Sequence, residues 1–272
     1  MSTVLVIGAT GRVGRHVVAG LLAAGVSVRA LVRTPSAAGL PASVSVVAGD
    51  LHDPDAVRRA AVGADAAFLL WPWYSAEGAA AVVAELPRRV VYLSTLGGGG
   101  FWGEIEELLR SRDSTFVRPS GFAVNTLAWA EQIRAGVVRL PYPKAARSLI
   151  HERDIAAVAV LALLDDHHVG QAYEITGPET ITQEDQIATI AELTGTPIRI
   201  EPLTDDEARQ EMLAQGADPL LADSAVTYWS TLVHTPEPVT ATVAQLTGRP
   251  ALTFASWARD HAADFGGVHK DW

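Results

Sequence analysis

Several residue types are scarce or absent in this chain. Among its 272 residues there is no cysteine, so disulfide bonds, thiolate metal ligands and a cysteine nucleophile are excluded. No apolar run approaches the roughly 18 residues that a membrane helix needs, so no membrane partner is expected. Strand-forming residues begin at Thr3, which leaves no room for a signal peptide, and we therefore expect a cytoplasmic protein.

Acidic residues are missing from the first 49 positions, although the whole chain has a net charge of −10. The formally charged side chains of that segment are Arg12, Arg15, Arg29 and Arg33. The segment therefore carries +4, and the rest of the chain carries −14. The acidic balance argues against general nucleic-acid binding, which needs a basic face. A positive segment inside an acidic chain instead suits a small polyanionic ligand.

A glycine-rich turn follows the first strand-like segment. The apolar residues Val4 to Ile7 run into Gly8, Gly11 and Gly14, and an amphipathic helical segment comes next. Three glycines at this spacing permit a tight turn and a close backbone approach to a phosphate, which the N-terminus of the helix then faces. The pattern favours nucleotide binding over a plain glycine turn between a strand and a helix.

Arg33 stands at the end of the second strand-like segment. In dinucleotide folds an acidic residue at this place binds the ribose 2′-hydroxyl of NAD, whereas an arginine accommodates the 2′-phosphate of NADP. Arg33 therefore favours NADP(H) as the cofactor. The alternative is an ordinary solvated charge at a strand end.

Strand-like and helix-like segments alternate through residues 1–150, which is typical of a parallel sheet covered by helices on both faces. We predict an α/β fold in which residues 1–150 form a doubly wound parallel sheet of Rossmann type. Residues 151–272 are expected to form a smaller, mostly helical substrate-side lobe, with part of 151–175 returning to the sheet. The predicted strands are Thr3–Ile7, Val26–Val32, Val44–Val47, Ala66–Leu70, Val90–Leu93 and Ser114–Val117, all buried on both faces. The predicted helices lie near 12–24, 54–62, 75–86, 103–112 and 121–134, the second starting at Asp53 or Asp55.

Capping signals organise the second region. Thr182 is expected to cap a helix over Gln183–Leu193, and Thr204 with Glu207 forms a capping box. The other predicted elements are a buried helix at Ile155–Leu164, strands at Ala172–Ile175 and Ile198–Ile200, and helices at 239–246 and Phe254–Asp264, the last capped by Thr253.

The motifs in their order along the chain resemble those of the NmrA-like family of atypical short-chain dehydrogenases/reductases. The segments that carry the resemblance are Gly8–Gly14, Arg33 in Ala-Leu-Val-Arg, Gly49-Asp50-Leu51, Arg118-Pro119, Gly121-Phe122 with Asn125, 151–159, Ile175–Pro178 and Thr247–Pro250. The resemblance covers nearly the whole length and implies an NADP(H) site. The implied cofactor-binding residues are Gly8, Thr10, Gly11, Arg12, Val13, Gly14, Arg33, Asp50, Leu51, Leu70, Pro119 and Phe122. Asp50 is alternatively a simple turn residue.

One feature departs from the wider superfamily, whose members use a tyrosine with a lysine four residues later to handle the substrate proton. The tyrosines are at positions 74, 92, 142, 173 and 228, and the lysines are Lys144 and Lys270. No tyrosine has a lysine or an arginine four positions later. The departure puts catalysis in doubt and leaves cofactor binding intact.

Aromatic and hydroxyl side chains follow three of the predicted strands. The expected substrate pocket consists of Trp71, Trp73, Tyr74, Phe101, Trp102 and Phe122, which suit a flat or polycyclic molecule. Alternatively these rings only pack the interface of the lobe. Ser94 and Thr95 are the candidate catalytic residues, because either hydroxyl could hydrogen-bond a substrate oxygen; both could equally just end a strand. No metal site is expected, since His167 and His168 lie in a polar turn typical of a solvated loop.

These features favour an NADP(H)-dependent oxidoreductase that reduces a carbonyl or a quinone of an aromatic or polycyclic small molecule. Two alternatives remain: a non-catalytic NADP(H) redox sensor, and a cofactor-independent isomerase or cyclase on the same scaffold. The expected partner is a small aromatic substrate, and the expected oligomeric state is a monomer or a homodimer.

Overall fold

The computed structural model describes residues 2–266, which divide into two compact units. The first unit comprises 2–119, 152–175 and 241–250, and the second comprises 120–151, 176–240 and 251–266. We expected a division after residue 150, with part of 151–175 returning to the sheet. Residues 152–175 do join the first unit and supply the strand that pairs with the end of its sheet, and residues 241–250 join that unit as well.

The strands, in chain order, are β1 (Thr3–Ile7), β2 (Ser27–Val32), β3 (Ser45–Ala48), β4 (Ala66–Leu70), β5 (Arg89–Leu93), β6 (Asp113–Pro119), β7 (Val137–Leu140), β8 (Ala146–Arg147), β9 (Ala172–Ile175), β10 (Ile181–Thr182) and β11 (Arg199–Pro202). The α-helices are α1 (Gly14–Ala23), α2 (Pro54–Ala61), α3 (Ala79–Glu85), α4 (Gly100–Leu109), α5 (Ala130–Arg134), α6 (Glu152–Leu164), α7 (Gln183–Thr194), α8 (Asp205–Ala214), α9 (Pro219–Leu232), α10 (Thr242–Thr247) and α11 (Phe254–Asp260). None of the helices within residues 2–266 is long and apolar enough to cross a lipid bilayer.

A seven-stranded sheet forms the centre of the first unit. Its order is β3-β2-β1-β4-β5-β6-β9, and every neighbouring pair is parallel. The reversal of strand order between β1 and β4 defines the doubly wound α/β fold, so the predicted fold class is confirmed. The strands β1, β4, β5 and β6 are buried along most of their length, as their apolar runs predict.

The prediction that all strands are buried on both faces is wrong for β3. This strand lies at the edge of the sheet and is largely exposed, with 38% exposure at Val46. Edge strands have a neighbour on one side only, so an apolar sequence does not by itself place a strand in the interior.

Helices cover the sheet of the first unit. Apolar residues of α2, α3 and α4 pack in one core with side chains from β1, β4 and β5, such as Leu5, Leu69 and Tyr92. Helix α1 packs closely against α6, where a Cβ atom at Gly20 would lie 2.9 Å from Cγ2 of Val160. Asp53 caps α2 by accepting from the Asp55 amide, which confirms one of the two predicted starts.

The second unit is mostly helical, in agreement with the predicted lobe. Its core surrounds Trp257 and includes residues of α5, α7 and α11, and two small sheets pair β7 with β11 and β8 with β10. The capping predictions at Thr182, Thr204 and Thr253 are confirmed. The sequence analysis did not predict α9, β7 or the β8–β10 pair. It also predicted one helix over 121–134, whereas a 3-10 helix at Ala123–Trp129 precedes the short α5.

Candidate cofactor and substrate site

The glycine-rich turn between β1 and α1 has positions that only glycine can occupy. Gly8 has a φ of +90°, and its carbonyl accepts from the Gly11 amide at 2.9 Å. A Cβ atom at Gly14 would lie 2.0 Å from that same carbonyl oxygen, and no side chain can fit there. The backbone therefore folds into a compact cradle at the carboxyl end of β1.

The start of α1 is open to a bound anion. Val13 occupies the N-cap position without a side-chain cap, and the first turn contains no acidic residue. Thr10 and Arg12 are exposed beside it, whereas Val13 itself is buried. A glycine cradle followed by an uncapped helix N-terminus is the donor arrangement that fits the pyrophosphate of a dinucleotide.

The arginines of this segment have different partners. Arg29 donates to the carbonyls of Ala60 and Val62 at 2.8 and 2.5 Å, and Arg15 donates to carbonyls of the glycine-rich turn. Arg33 is exposed and forms no ion pair or hydrogen bond with any group of residues 2–266. Its guanidinium is thus available for an added phosphate, and the chemistry of the site fits NADP(H).

The turn after β3 is compact. Gly49 is required there, because a Cβ atom would lie 2.5 Å from Cβ of Ala56. One carboxylate oxygen of Asp50 accepts from the His52 amide at 2.8 Å, and 44% of the Asp50 side chain remains exposed. Leu51 is buried in the core. Asp50 therefore serves the turn while its carboxylate stays accessible to a ligand.

The end of β4 lies directly behind the glycine-rich turn. A Cβ atom at Gly8 would lie 3.1 Å from Cβ of Leu70, so these two residues are in contact. The next ring along the chain, Trp71, is buried and donates from its indole nitrogen to the Ser75 carbonyl at 2.7 Å. The structure thus brings the predicted cofactor residue Leu70 next to the turn.

Two groups of aromatic rings lie in the segments after β3, β4 and β5. In the first, the centroids of His52 and Trp73 are 3.5 Å apart with the ring planes tilted by 35°, and Trp71 meets Trp73 edge-on at 4.8 Å. In the second, Tyr74 meets Phe101 edge-on at 6.1 Å, and Phe101 lies against Trp102 at 3.8 Å.

The second ring group connects the segments after β4 and β5, as the sequence predicts for two of the three loops. Tyr74 is 65% exposed, whereas Phe101 and Trp102 are half-buried against the core. The pair Phe101–Trp102 therefore both packs the unit and presents aromatic surface. Whether this surface binds a substrate stays a prediction.

The two predicted residues after β5 differ in their hydrogen bonds. Ser94 is buried and donates from Oγ to Oε1 of Glu106 at 2.5 Å. Arg118 donates from Nε to the same oxygen at 2.9 Å and from a terminal nitrogen to Oε2. The Glu106 carboxylate raises the pKa of the Arg118 guanidinium through these hydrogen bonds. Thr95 is half-buried, and its hydroxyl forms no hydrogen bond within the described residues.

The sequence analysis missed Glu106 as a partner of Ser94. A signal existed, because Arg118 lies between the buried residues Val117 and Pro119, and a charge at such a place requires a partner. Glu106 lies between Ile105 and Leu109 on the buried side of α4, where an acidic residue is unusual. His52 was missed as well, and only its position after Asp50-Leu51 pointed to the site.

Pro119 and Phe122 belong to different units. Pro119 is buried at the end of β6 in the first unit. Phe122 is partly buried against the core of the second unit. The inclusion of Phe122 in the cofactor site and in the substrate pocket stays a prediction.

Four of the five tyrosines have a raised pKa. Burial, followed by the Glu106 charge, raises the pKa of Tyr92, and burial raises the pKa of Tyr173. A hydrogen bond to Asp205 raises the pKa of Tyr142, and burial raises the pKa of Tyr228 to about 12. Each shift favours the neutral phenol, which is opposite to the effect of a neighbouring lysine. Within residues 2–266 no group of three or more acidic or histidine side chains could hold a metal ion.

A doubly wound parallel sheet with a glycine cradle after β1 defines a dinucleotide-binding protein. A family model described as NAD(P)H-binding matches residues 8–100. The chain is 39% identical to a (4-alkanoyl-5-oxo-2,5-dihydrofuran-3-yl)methyl phosphate reductase of Streptomyces griseus over 96% of this chain and 99% of the relative. It is 34% identical to an NAD(P)H azoreductase of Xenophilus azovorans over 97% and 99%.

The solved structures agree with the fold. An NADPH-dependent quinone oxidoreductase of Escherichia coli superposes with a TM-score of 0.78, at 22% identity over 94% of this chain and 98% of that one. The chain therefore belongs to the NAD(P)H-binding family of these two full-length relatives. The predicted resemblance and the nicotinamide cofactor are confirmed.

Proposed function

We propose that this protein is an NADPH-dependent reductase of a conjugated, aromatic or quinone-type small molecule. The observation that carries the proposal is the glycine cradle with the uncapped N-terminus of α1, combined with Arg33 at the end of β2, which has no partner among residues 2–266. Two relatives of matching length have reductase names, one of them an azoreductase, and both support a reducing activity.

The cofactor would be held by groups of the first unit. The amides of the glycine-rich turn and of the start of α1 would bind the pyrophosphate, and Arg33 would bind the 2′-phosphate. Asp50 offers an acceptor for the adenine amine. When bound, the reduced nicotinamide supplies a hydride. Because Arg33 has no competing carboxylate within residues 2–266, we expect NADPH to bind more tightly than NADH.

The substrate would lie against the exposed rings. Tyr74, Phe101 and Trp102 present aromatic surface at the carboxyl ends of β4 and β5, where open α/β sheets bind their ligands. Such rings favour offset stacking on a flat π-system. A hydroxyl after β5 that is not already donated to a protein group would hydrogen-bond the substrate oxygen, and the missing Tyr–Lys pair leaves protonation to water or to the substrate itself.

The experiment is NADPH oxidation by the purified protein with a panel of quinones, azo dyes and polycyclic ketones. We expect turnover above the protein-free rate with at least one member. The Gly14→Val variant, which fills the cradle, should lose both NADPH binding and turnover. Absence of turnover with the whole panel would contradict the proposal.

A second candidate function is a non-catalytic NADP(H) redox sensor, and the lack of any Tyr–Lys pair favours it. This function requires tight binding of NADPH or NADP⁺ in calorimetry, unequal affinities for the two forms, and no turnover. A cofactor-independent isomerase or cyclase would instead form product without added nicotinamide. The three functions therefore give different results in three assays: NADPH oxidation, calorimetry and product formation without added nicotinamide.

A further inference from the structure

The hydroxyl groups of Ser94 and Thr95 are adjacent in the chain but have different surroundings. Only 4% of Ser94 is exposed, and its hydroxyl hydrogen is committed to Oε1 of Glu106 at 2.5 Å. A hydroxyl has one hydrogen to donate, so Ser94 has none left for a substrate. Thr95 has the opposite character, since it is half-buried and its hydroxyl has no partner within residues 2–266.

Glu106 is fixed on its other side by Arg118. The Arg118 guanidinium donates to both carboxylate oxygens, and Glu106 is 2% exposed. A buried carboxylate with a two-fold hydrogen-bonded arginine has a rigid geometry. Ser94 therefore donates to an acceptor whose position is determined by α4 and β6, and its hydroxyl is held toward the interior of the unit.

The same pair supports the turn that follows Thr95. A Cβ atom at Gly98 would lie 2.6 Å from the Arg118 guanidinium, so Arg118 packs directly against this turn. The amide of Gly98 donates to the Thr95 carbonyl at 2.9 Å, which closes the turn on Thr95. Glu106, Arg118 and Gly98 form a continuous chain of contacts that ends at the backbone of Thr95.

We propose that Thr95, and not Ser94, donates the hydrogen bond to the substrate oxygen, and that Glu106 is a positioning residue. Glu106 holds Ser94 inward and, through Arg118, anchors the turn that carries Thr95. Thr95 stabilises negative charge on the substrate oxygen and keeps its own proton. This inference rests on the proposed reductase function and adds which of two neighbouring hydroxyls serves it.

The test measures steady-state kinetics with NADPH and 1,4-naphthoquinone. Thr95→Val, which replaces the hydroxyl by a methyl group of similar size, should lower kcat by about 100-fold. The Kd for NADPH and the Tm should stay at the wild-type values. Thr95→Ser restores a hydroxyl and should recover most of kcat. Ser94→Ala should lower the Tm but keep kcat within about threefold of wild type.

Glu106 is tested by a double-mutant cycle, because a positioning role and a merely structural role differ there. Glu106→Gln should lower kcat in the wild-type background. In the Thr95→Val background it should have little further effect on kcat, since the group that it positions is already gone. A structural role would lower kcat by the same factor in both backgrounds.

Two results would overturn the inference. One is a loss of kcat in Ser94→Ala as large as that in Thr95→Val, and the other is an unchanged kcat in Thr95→Val. If the wild type turns over another member of the panel but not naphthoquinone, the kinetics use that member. If it turns over no member, the reductase function is contradicted, and equilibrium binding then decides the inference. Quenching of tryptophan fluorescence by naphthoquinone should show weaker binding to Thr95→Val. Equal binding, or none to the wild type, would reject it.

Discussion

Arg118 on β6 and Glu106 on α4 form a two-fold hydrogen-bonded ion pair in which the carboxylate is almost completely buried. Breaking such a pair leaves a charge without its partner, and the cost exceeds that of losing a surface ion pair. We expect Glu106→Gln to lower the free energy of unfolding by about 3 kcal/mol. Urea unfolding measures this change.

The neighbouring Glu107 provides the matched control for that substitution. Its ion pair with Arg110 lies on the exposed side of α4, where both side chains are more than half exposed. We expect Glu107→Gln to change stability by less than about 0.5 kcal/mol. Equal effects of the two substitutions would contradict a buried role for Glu106.

Arg33 determines the preference for the phosphorylated cofactor in the proposed function. Replacing it by alanine removes charge-assisted hydrogen bonds to the 2′-phosphate, and we expect a loss of NADPH affinity of about 10- to 100-fold. The affinity for NADH should stay unchanged. Calorimetry with both cofactors measures the effect, and Arg58→Ala on the exposed face of α2 is the control. A parallel loss of NADH affinity would show that Arg33 acts on the fold instead.

Tyr92 is a fully buried phenol whose hydroxyl has no hydrogen-bond partner among residues 2–266. An unsatisfied buried hydroxyl destabilises the folded state, so Tyr92→Phe should leave stability unchanged or raise it by up to about 1 kcal/mol. Thermal unfolding measures the difference. Tyr173 is the contrasting case, because its hydroxyl hydrogen-bonds Nδ1 of His168 at 2.8 Å. Tyr173→Phe should therefore be destabilising by about 1 kcal/mol, and the opposite order would contradict this account.

Tyr228 makes the free energy of unfolding of the second unit depend on pH in the alkaline range. Burial, followed by a hydrogen bond to Glu237, raises its pKa to about 12, whereas an unfolded tyrosine titrates near 10. The folded state thus favours the protonated phenol. This contribution is complete below about pH 10 and is lost as the pH rises through about 12.

Replacement of Tyr228 by phenylalanine removes this titration. The urea midpoint of Tyr228→Phe should therefore fall less steeply than that of the wild type between about pH 10 and 12. The urea midpoint of Tyr142→Phe is measured for comparison, because the Tyr142 hydroxyl pairs with Asp205 at an exposed site. An identical slope for the wild type and Tyr228→Phe would reject the assignment.

Local signals in the sequence predicted local structure well. The turn at Gly8 to Gly14 depends on steric limits of neighbouring residues, and the caps at Thr182 and Thr204 depend on residues three positions away. All the residues that impose such a constraint lie within a short window of sequence. Asp218-Pro219 was a similar signal for the start of α9 and was overlooked, since Asp218 caps that helix.

Contacts between distant residues could not be predicted in the same way. Strand β7 pairs with β11, and Val137 lies opposite Arg199, a residue far along the chain. Glu106 finds Arg118 through the packing of α4 beside β6, and no sequence spacing encodes that approach. The candidate site combines both kinds of information, which is why its phosphate cradle was predicted and its Ser94 partner was not.

The close crossing of α1 and α6 at Gly20 and Val160 has a consequence for the cofactor. Gly20 lies six residues, or about 9 Å along the helix axis, from the first residue of α1. A bulkier side chain at position 20 would push this part of α1 off its neighbour and tilt the amides that face the pyrophosphate. We therefore expect a bulkier residue at position 20 to weaken nucleotide binding through the packing of two helices.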